Sequence, residues 1–110
     1  MATAYALAQV QGTASTTTYG TLYSTGAAET AVVSTISICN TASAAVTYRI
    51  GVTTSAGTPG AAEWIVYDNT VPGFDTVFLT VGLTLGNTKF IRVSSSANTC
   101  AFAASYALNT

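Results

Sequence analysis

The chain has no histidine, two cysteines, two prolines and, in 110 residues, only three cations and four anions. Without histidine, and with so few thiols, zinc sites of the usual ligand spacing and Ser-His or Cys-His nucleophile pairs are excluded. Three cations set singly along the chain, Arg49, Lys89 and Arg92, cannot neutralise a run of phosphates, so no nucleic-acid partner is expected. The same scarcity removes a basic membrane-surface patch. Apolar residues come in short runs, none near the ~20 that a membrane helix needs. The opening Met1-Ala2-Thr3-Ala4-Tyr5-Ala6-Leu7-Ala8-Gln9 has neither the positive start nor the unbroken apolar stretch of a secretory leader, so synthesis in a cytoplasm is expected. Charged residues amount to 6% of the chain, against about 25% in an ordinary folded domain. A surface that plain suits a protein packed against other proteins.

What is present is β-branched. Valine, isoleucine and above all threonine favour strands over helices. Ala45 to Thr53 alternates Val46, Tyr48, Ile50 and Val52 with Thr47, Arg49, Gly51 and Thr53, the pattern of a half-buried strand. Thr76 to Leu83 repeats it, with Val77, Leu79, Val81 and Leu83 on one face and Phe78 on the other. In Thr30 to Cys39 the alternation puts Val32, Ile36 and Ile38 together, against Val33, Thr35, Ser37 and Cys39. Thr88 to Ser94 and Thr99 to Leu108 complete the clear candidates, and Tyr5 to Val10, Thr18 to Tyr23 and Trp64 to Asp68 are weaker ones. Turn chemistry such as Asn40-Thr41-Ala42-Ser43 and Val71-Pro72-Gly73 separates them every ten to fifteen residues. The reading is all-β, a single domain over residues 1–110: an immunoglobulin-like antiparallel sandwich of seven or eight short strands, with a small barrel as the alternative and a polar arm or loop around 11–18.

The candidate sites are few. Cys39 and Cys100 are sixty-one positions apart, and facing strands of a sandwich could bring them within bridging distance. A cytoplasm is reducing, however, and Cys39 lies out of phase with Ile36 and Ile38, so two free thiols are expected rather than a disulfide. Asp68 and Asp75 flank a loop, but four acids are too few for a calcium site, and turn capping is their expected role. Glu63 and Asp68 have opposite parity on a strand and cannot serve as a paired acid and base. Trp64, Tyr67, Tyr48 and Phe74 could form an aromatic platform for a sugar; as core or interface anchors they need no ligand. Arg49 and Arg92 sit on apolar strands and are expected to pair with acids of the same or a neighbouring subunit. The residues singled out as interface or ligand contacts are therefore Trp64, Tyr67, Phe74 and Arg49. No catalytic residue, metal ligand or cofactor site is expected.

Several segments taken in order resemble one family: Val32-Val33-Ser34-Thr35-Ile36-Ser37-Ile38-Cys39-Asn40 followed by Thr47-Tyr48-Arg49-Ile50, then Ile65-Val66-Tyr67-Asp68, Asp75-Thr76 and Leu79-Thr80-Val81-Gly82-Leu83-Thr84-Leu85, with Met1-Ala2-Thr3-Ala4-Tyr5 and Thr21-Leu22-Tyr23. They are similar to small virion proteins of tailed bacteriophages, especially those infecting cyanobacteria and marine bacteria. The resemblance implies a non-enzymatic structural subunit of a phage particle with an immunoglobulin-like sandwich. Its first expected place is capsid decoration or cement, its second a tail, baseplate or fibre. Its partners would be the major capsid protein or tail proteins and copies of itself. A carbohydrate-binding adhesin module is the alternative of another class.

Overall fold

The structure is a computed structural model and describes residues 3–110; the first two residues of the opening segment compared above lie outside it. Eight strands follow one another: β1 (Thr3–Gln11), β2 (Ser15–Ser24), β3 (Thr30–Asn40), β4 (Val46–Thr53), β5 (Trp64–Val71), β6 (Thr76–Leu85), β7 (Phe90–Ser95) and β8 (Cys100–Asn109). They form two four-stranded sheets, ordered β1-β8-β3-β6 and β2-β7-β4-β5, with every pairing antiparallel. The all-β sandwich expected from composition and alternation is what the chain forms. Its strand order is more specific: β1 pairs with β8, β2 with β7, β3 with β6 and β4 with β5. That nesting is one long hairpin wound up on itself, the jelly-roll form of the sandwich.

Inward side chains of both sheets make the core, with Val33, Ile36 and Ile38 from β3, Val46, Tyr48 and Ile50 from β4, Ile91 and Val93 from β7, and Phe102 and Ala104 from β8 all buried. Each large apolar side chain so buried contributes about 1.5–3 kcal/mol. Tyr48 and Phe102 meet edge to face across the two sheets, ring centroids 6.3 Å apart. On β6 the expected face holds: Val77, Leu79, Val81 and Leu83 pack against the core and Phe78 stands in solvent.

On β3 it does not. Val33 is buried and Val32 exposed, the reverse of the phase expected for Val32, Ile36 and Ile38. The cause is an irregularity at Ser34: between Val33 and Thr35 the register slips against both neighbours, β8 and β6. One extra residue in a strand reverses the facing of everything beyond it. The matching irregularity in β6 falls at Gly82, whose φ of 55° is a left-handed conformation that glycine adopts without steric cost. The polar run 11–18, expected to be an arm or loop, is mostly strand: only residues 12–14 separate β1 from β2.

One end of the sandwich is closed by Asn40, a buried side chain. Its Nδ2 donates to the carbonyl oxygens of Ala44 (2.8 Å), Pro72 (3.3 Å) and Val71 (3.4 Å), and its Oδ1 accepts from the Ala42 amide (3.1 Å) and the Thr99 hydroxyl (3.0 Å). A single amide thereby ties the β3–β4, β5–β6 and β7–β8 connections together. Gly73 sits in the second of these connections, against the backbone of Ser43, where a Cβ would collide.

Charge is distributed unevenly between the sheets. No residue of β1, β8, β3 or β6 is charged. Arg49, Asp68 and Arg92 all belong to the second sheet, and Glu29, Glu63, Asp75 and Lys89 lie in connections.

Candidate functional site

Two surfaces stand out, one on the outer face of each sheet. On the β2-β7-β4-β5 sheet, Arg49 projects outward between the buried Tyr48 and Ile50. Its neighbour β5 carries two register shifts, between the pairs Tyr48–Asn69 and Ile50–Val66 and again before Gly51–Trp64. These extra residues bring Trp64, Tyr67 and Asp68, which strict alternation would divide between faces, onto the side of Arg49. Asp68 takes a φ of 53° at the first of them, a conformation that aspartate tolerates better than most side chains.

The result is a compact cluster. Arg49 holds Asp68 by two bonds, Nε to Oδ1 at 2.6 Å and Nη2 to Oδ2 at 3.0 Å. The guanidinium carbon lies 4.1 Å from the Tyr67 ring centroid and 5.8 Å from that of Trp64. Tyr19 reaches in from β2, with its hydroxyl 3.3 Å from Arg49 Nη1 and its ring 5.7 Å from Trp64, and Trp64 meets Tyr67 edge-on at 5.0 Å. The hydrogen bond to Asp68 raises the Arg49 pKa further above its already high value, and the bond from Arg49 holds the Asp68 carboxyl below the ordinary carboxylate value. Both stay ionised as a fixed pair, with the guanidinium stacked on an exposed aromatic ring.

Of the residues expected to act together, Arg49, Trp64 and Tyr67 do meet. Phe74 does not: it is exposed in the β5–β6 connection, also with φ 53°. Tyr48 is a core residue. Tyr19 and Asp68 belong to the cluster and are absent from the expected set of contacts. Asp68, expected to cap a turn, lies within β5, whereas Asp75 does accept a bond from the amide that follows it. Arg92, expected to find an acid, instead donates to the carbonyls of Tyr19 (3.0 Å) and Gly57 (3.2 Å) and to the Thr21 hydroxyl. It thereby fixes the β4–β5 connection and β2 alongside the cluster.

The outer face of the β1-β8-β3-β6 sheet has a different chemistry. Of its two central strands, β8 offers small side chains, Ala101, Ala103, Ser105 and Ala107, and β3 the exposed Val32, while the edge strands offer Tyr5 and Leu7 on β1 and Phe78 on β6, also exposed. A shallow groove of ≈ 630 Å³ runs over Ala101 and Ala103 between Gln9 and Gln11 on one side and Ser37 and Cys39 on the other. Cys39 is half-buried at this groove, while Cys100 is buried on the core side, and both are free. Burial raises the Cys100 thiol pKa, with the neighbouring Cys39 adding to it. Among the described residues no group of three or more histidine, cysteine or acidic side chains is placed to hold a metal ion.

No protein family and no curated protein matches the chain in sequence. Among solved structures, one chain from the structure of infectious bursal disease virus, Gt strain, aligns with 97% of this chain at 11% identity and a TM-score of 0.48, and this chain covers 32% of it. A chain from the Gx strain gives 12% identity over 97%, a TM-score of 0.48 and 31% coverage. The chain thus spans about a third of the length of those neighbours.

Proposed function

We propose that this protein is a non-enzymatic structural subunit of a virion, held on a lattice of other virion proteins. The observation that carries the reading is the charge-free sheet: four strands with no Asp, Glu, Lys or Arg, one face turned to solvent, and Tyr5, Leu7, Val32 and Phe78 standing on it. Free soluble domains keep such faces charged and patch-free. A subunit that is permanently covered has no such need, and small Ala and Thr side chains lose little entropy on burial. The jelly roll is a form common in viral capsid domains. Together with the resemblance to small virion proteins of tailed bacteriophages, these features support the finer reading of a capsid decoration or cement protein.

Copy number separates that role from a place on the tail, baseplate or fibre. In purified particles a decoration protein approaches the number of major capsid subunits, and quantitative mass spectrometry of intact particles should return that ratio. Absence of the chain from particles would overturn the virion reading; a copy number a small fraction of the capsid subunit would move it to the tail.

A second reading rests on the Arg49–Trp64–Tyr67–Tyr19 cluster, since jelly rolls also serve as lectin domains and exposed rings can stack on sugars. It requires saturable binding of glycans by the free protein, seen as a change in Trp64 fluorescence. A flat titration leaves the cluster as a protein-facing anchor, the kind of aromatic and arginine grouping that dominates interface energetics.

A further inference from the structure

We infer that β1 is a self-association edge: β1 of one copy pairs antiparallel with β1 of a second, joining two four-stranded sheets into one. Four strands lie at sheet edges, β1 and β6 in one sheet and β2 and β5 in the other. Three of them are interrupted. β2 shifts register twice against β7, β5 shifts twice and carries Asp68, and β6 shifts register against β3 around Gly82, which has a φ of 55°. Bulges and charges of this kind keep an edge from pairing with another chain. β1 has none of them. Its nine residues, Thr3 to Gln11, run against β8 in unbroken register, with no proline and no charge, and its other edge borders no strand of its own sheet.

The occupant follows from the sequence of the strand. A two-fold axis at Leu7 gives the full overlap and sets Thr3 opposite Gln11, Ala4 opposite Val10, Tyr5 opposite Gln9, Ala6 opposite Ala8 and Leu7 opposite itself. Thr3, Tyr5, Leu7, Gln9 and Gln11 then share the outer face, where the two leucines meet at the centre and each tyrosine ring lies along a glutamine stem. The inner face receives only Ala4 and Ala6, which are exposed, and Ala8 and Val10, which are half-buried, so the junction brings only small apolar side chains together there. No pairing across the junction sets like charges together, and no polar side chain is turned inward. A self-complementary patch of this kind is what a two-fold interface requires, and the main-chain bonds of an added strand supply its affinity. The inference goes beyond the virion reading and stands on the geometry of the edge alone.

The test uses the purified full-length chain, away from any particle. Light scattering after size exclusion over a range of concentrations should show a dimer. Leu7→Lys and Leu7→Glu, at an exposed position, each place like charges opposite one another and should weaken the dimer by roughly tenfold or more while circular dichroism keeps its strand signature. Mixing the two variants should restore a heterodimer, because the axis then sets an ammonium of one copy opposite a carboxylate of the other. Phe78→Lys, on the far edge of the same sheet, should leave the dimer intact. A monomer at every concentration, a dimer indifferent to both Leu7 variants, or variants that stay monomeric when mixed would each overturn the proposal; none of these outcomes bears on whether the chain is found in particles.

Discussion

Asn40 is the residue on which the closed end of the sandwich depends. Asn40→Ala leaves the carbonyls of Ala44, Val71 and Pro72 and the Thr99 hydroxyl without their buried partner, a loss of about 1–3 kcal/mol for each group left unsatisfied and not rehydrated. Chemical denaturation should show a destabilisation of about 3 kcal/mol, among the larger single-residue effects in the chain. Titration offers two more checks. Asp68 is held below 3.8 by its bond from Arg49, so the pair contributes fully above that value and is lost as pH falls through the lower, folded one. Trp64 emission should therefore stay constant down to the ordinary aspartate range and change only below it, and in Asp68→Asn the change should already be present at neutral pH. Tyr23, packed on Tyr106 with ring centroids 4.0 Å apart, has its pKa pushed up to about 12, first by burial and then by Tyr106. The folded state thus holds the phenol proton more tightly than the unfolded chain does. Stability is unaffected below the ordinary value of 10 and falls as pH rises toward 12. Tyrosinate absorbance should show at least two phenols, Tyr23 and the buried Tyr48, whose pKa burial also raises, ionising late or only with unfolding.

Among the elements, those with strict alternation were legible from residues alone. β4 and β6 present the faces expected of Val46, Tyr48, Ile50 and Val52 and of Val77, Leu79, Val81 and Leu83, because in both strands the apolar residues fall on every second position and pack on the core, although on β4 Gly51 and Thr53 of the other face are buried as well. β3 misled for a physical reason: Val32 and Val33 are adjacent and both apolar, so either phase fits the pattern, and the irregularity at Ser34 that decides between them leaves no mark in composition. The same holds for the cluster. Arg49, Trp64 and Tyr67 were visible as unusual residues, but Tyr19 comes from a strand two positions away in the sheet, and Asp68 joins only because β5 is bulged. Phe74 looked like a member because it is close in sequence, whereas the connection carries it away. Gly82→Ala tests the bulge itself. Nothing crowds a Cβ there, so the cost is that of a left-handed alanine, about 1–2 kcal/mol. Thermal unfolding should register that loss, with no change in oligomeric state.

For the whole molecule, the uneven placement of charge between two sheets governs how it can attach to anything. Seven charged side chains, three of them in strands of the second sheet, cannot build an ionic interface of any extent, and exposed ion pairs contribute only about 0–1 kcal/mol each. Burial of apolar area at roughly 25 cal/mol per Å² over several neighbours is the larger source, even after the freedom lost on association is subtracted. The most direct measurement is a wash of purified virions in about 1 M salt, where the Debye length falls to ~3 Å, followed by quantification of the bound copies. The chain should stay on the particle and leave only with denaturant or heat. Quantitative release by salt alone would mean that the attachment is electrostatic, and that the charge-free sheet is not the surface that holds it.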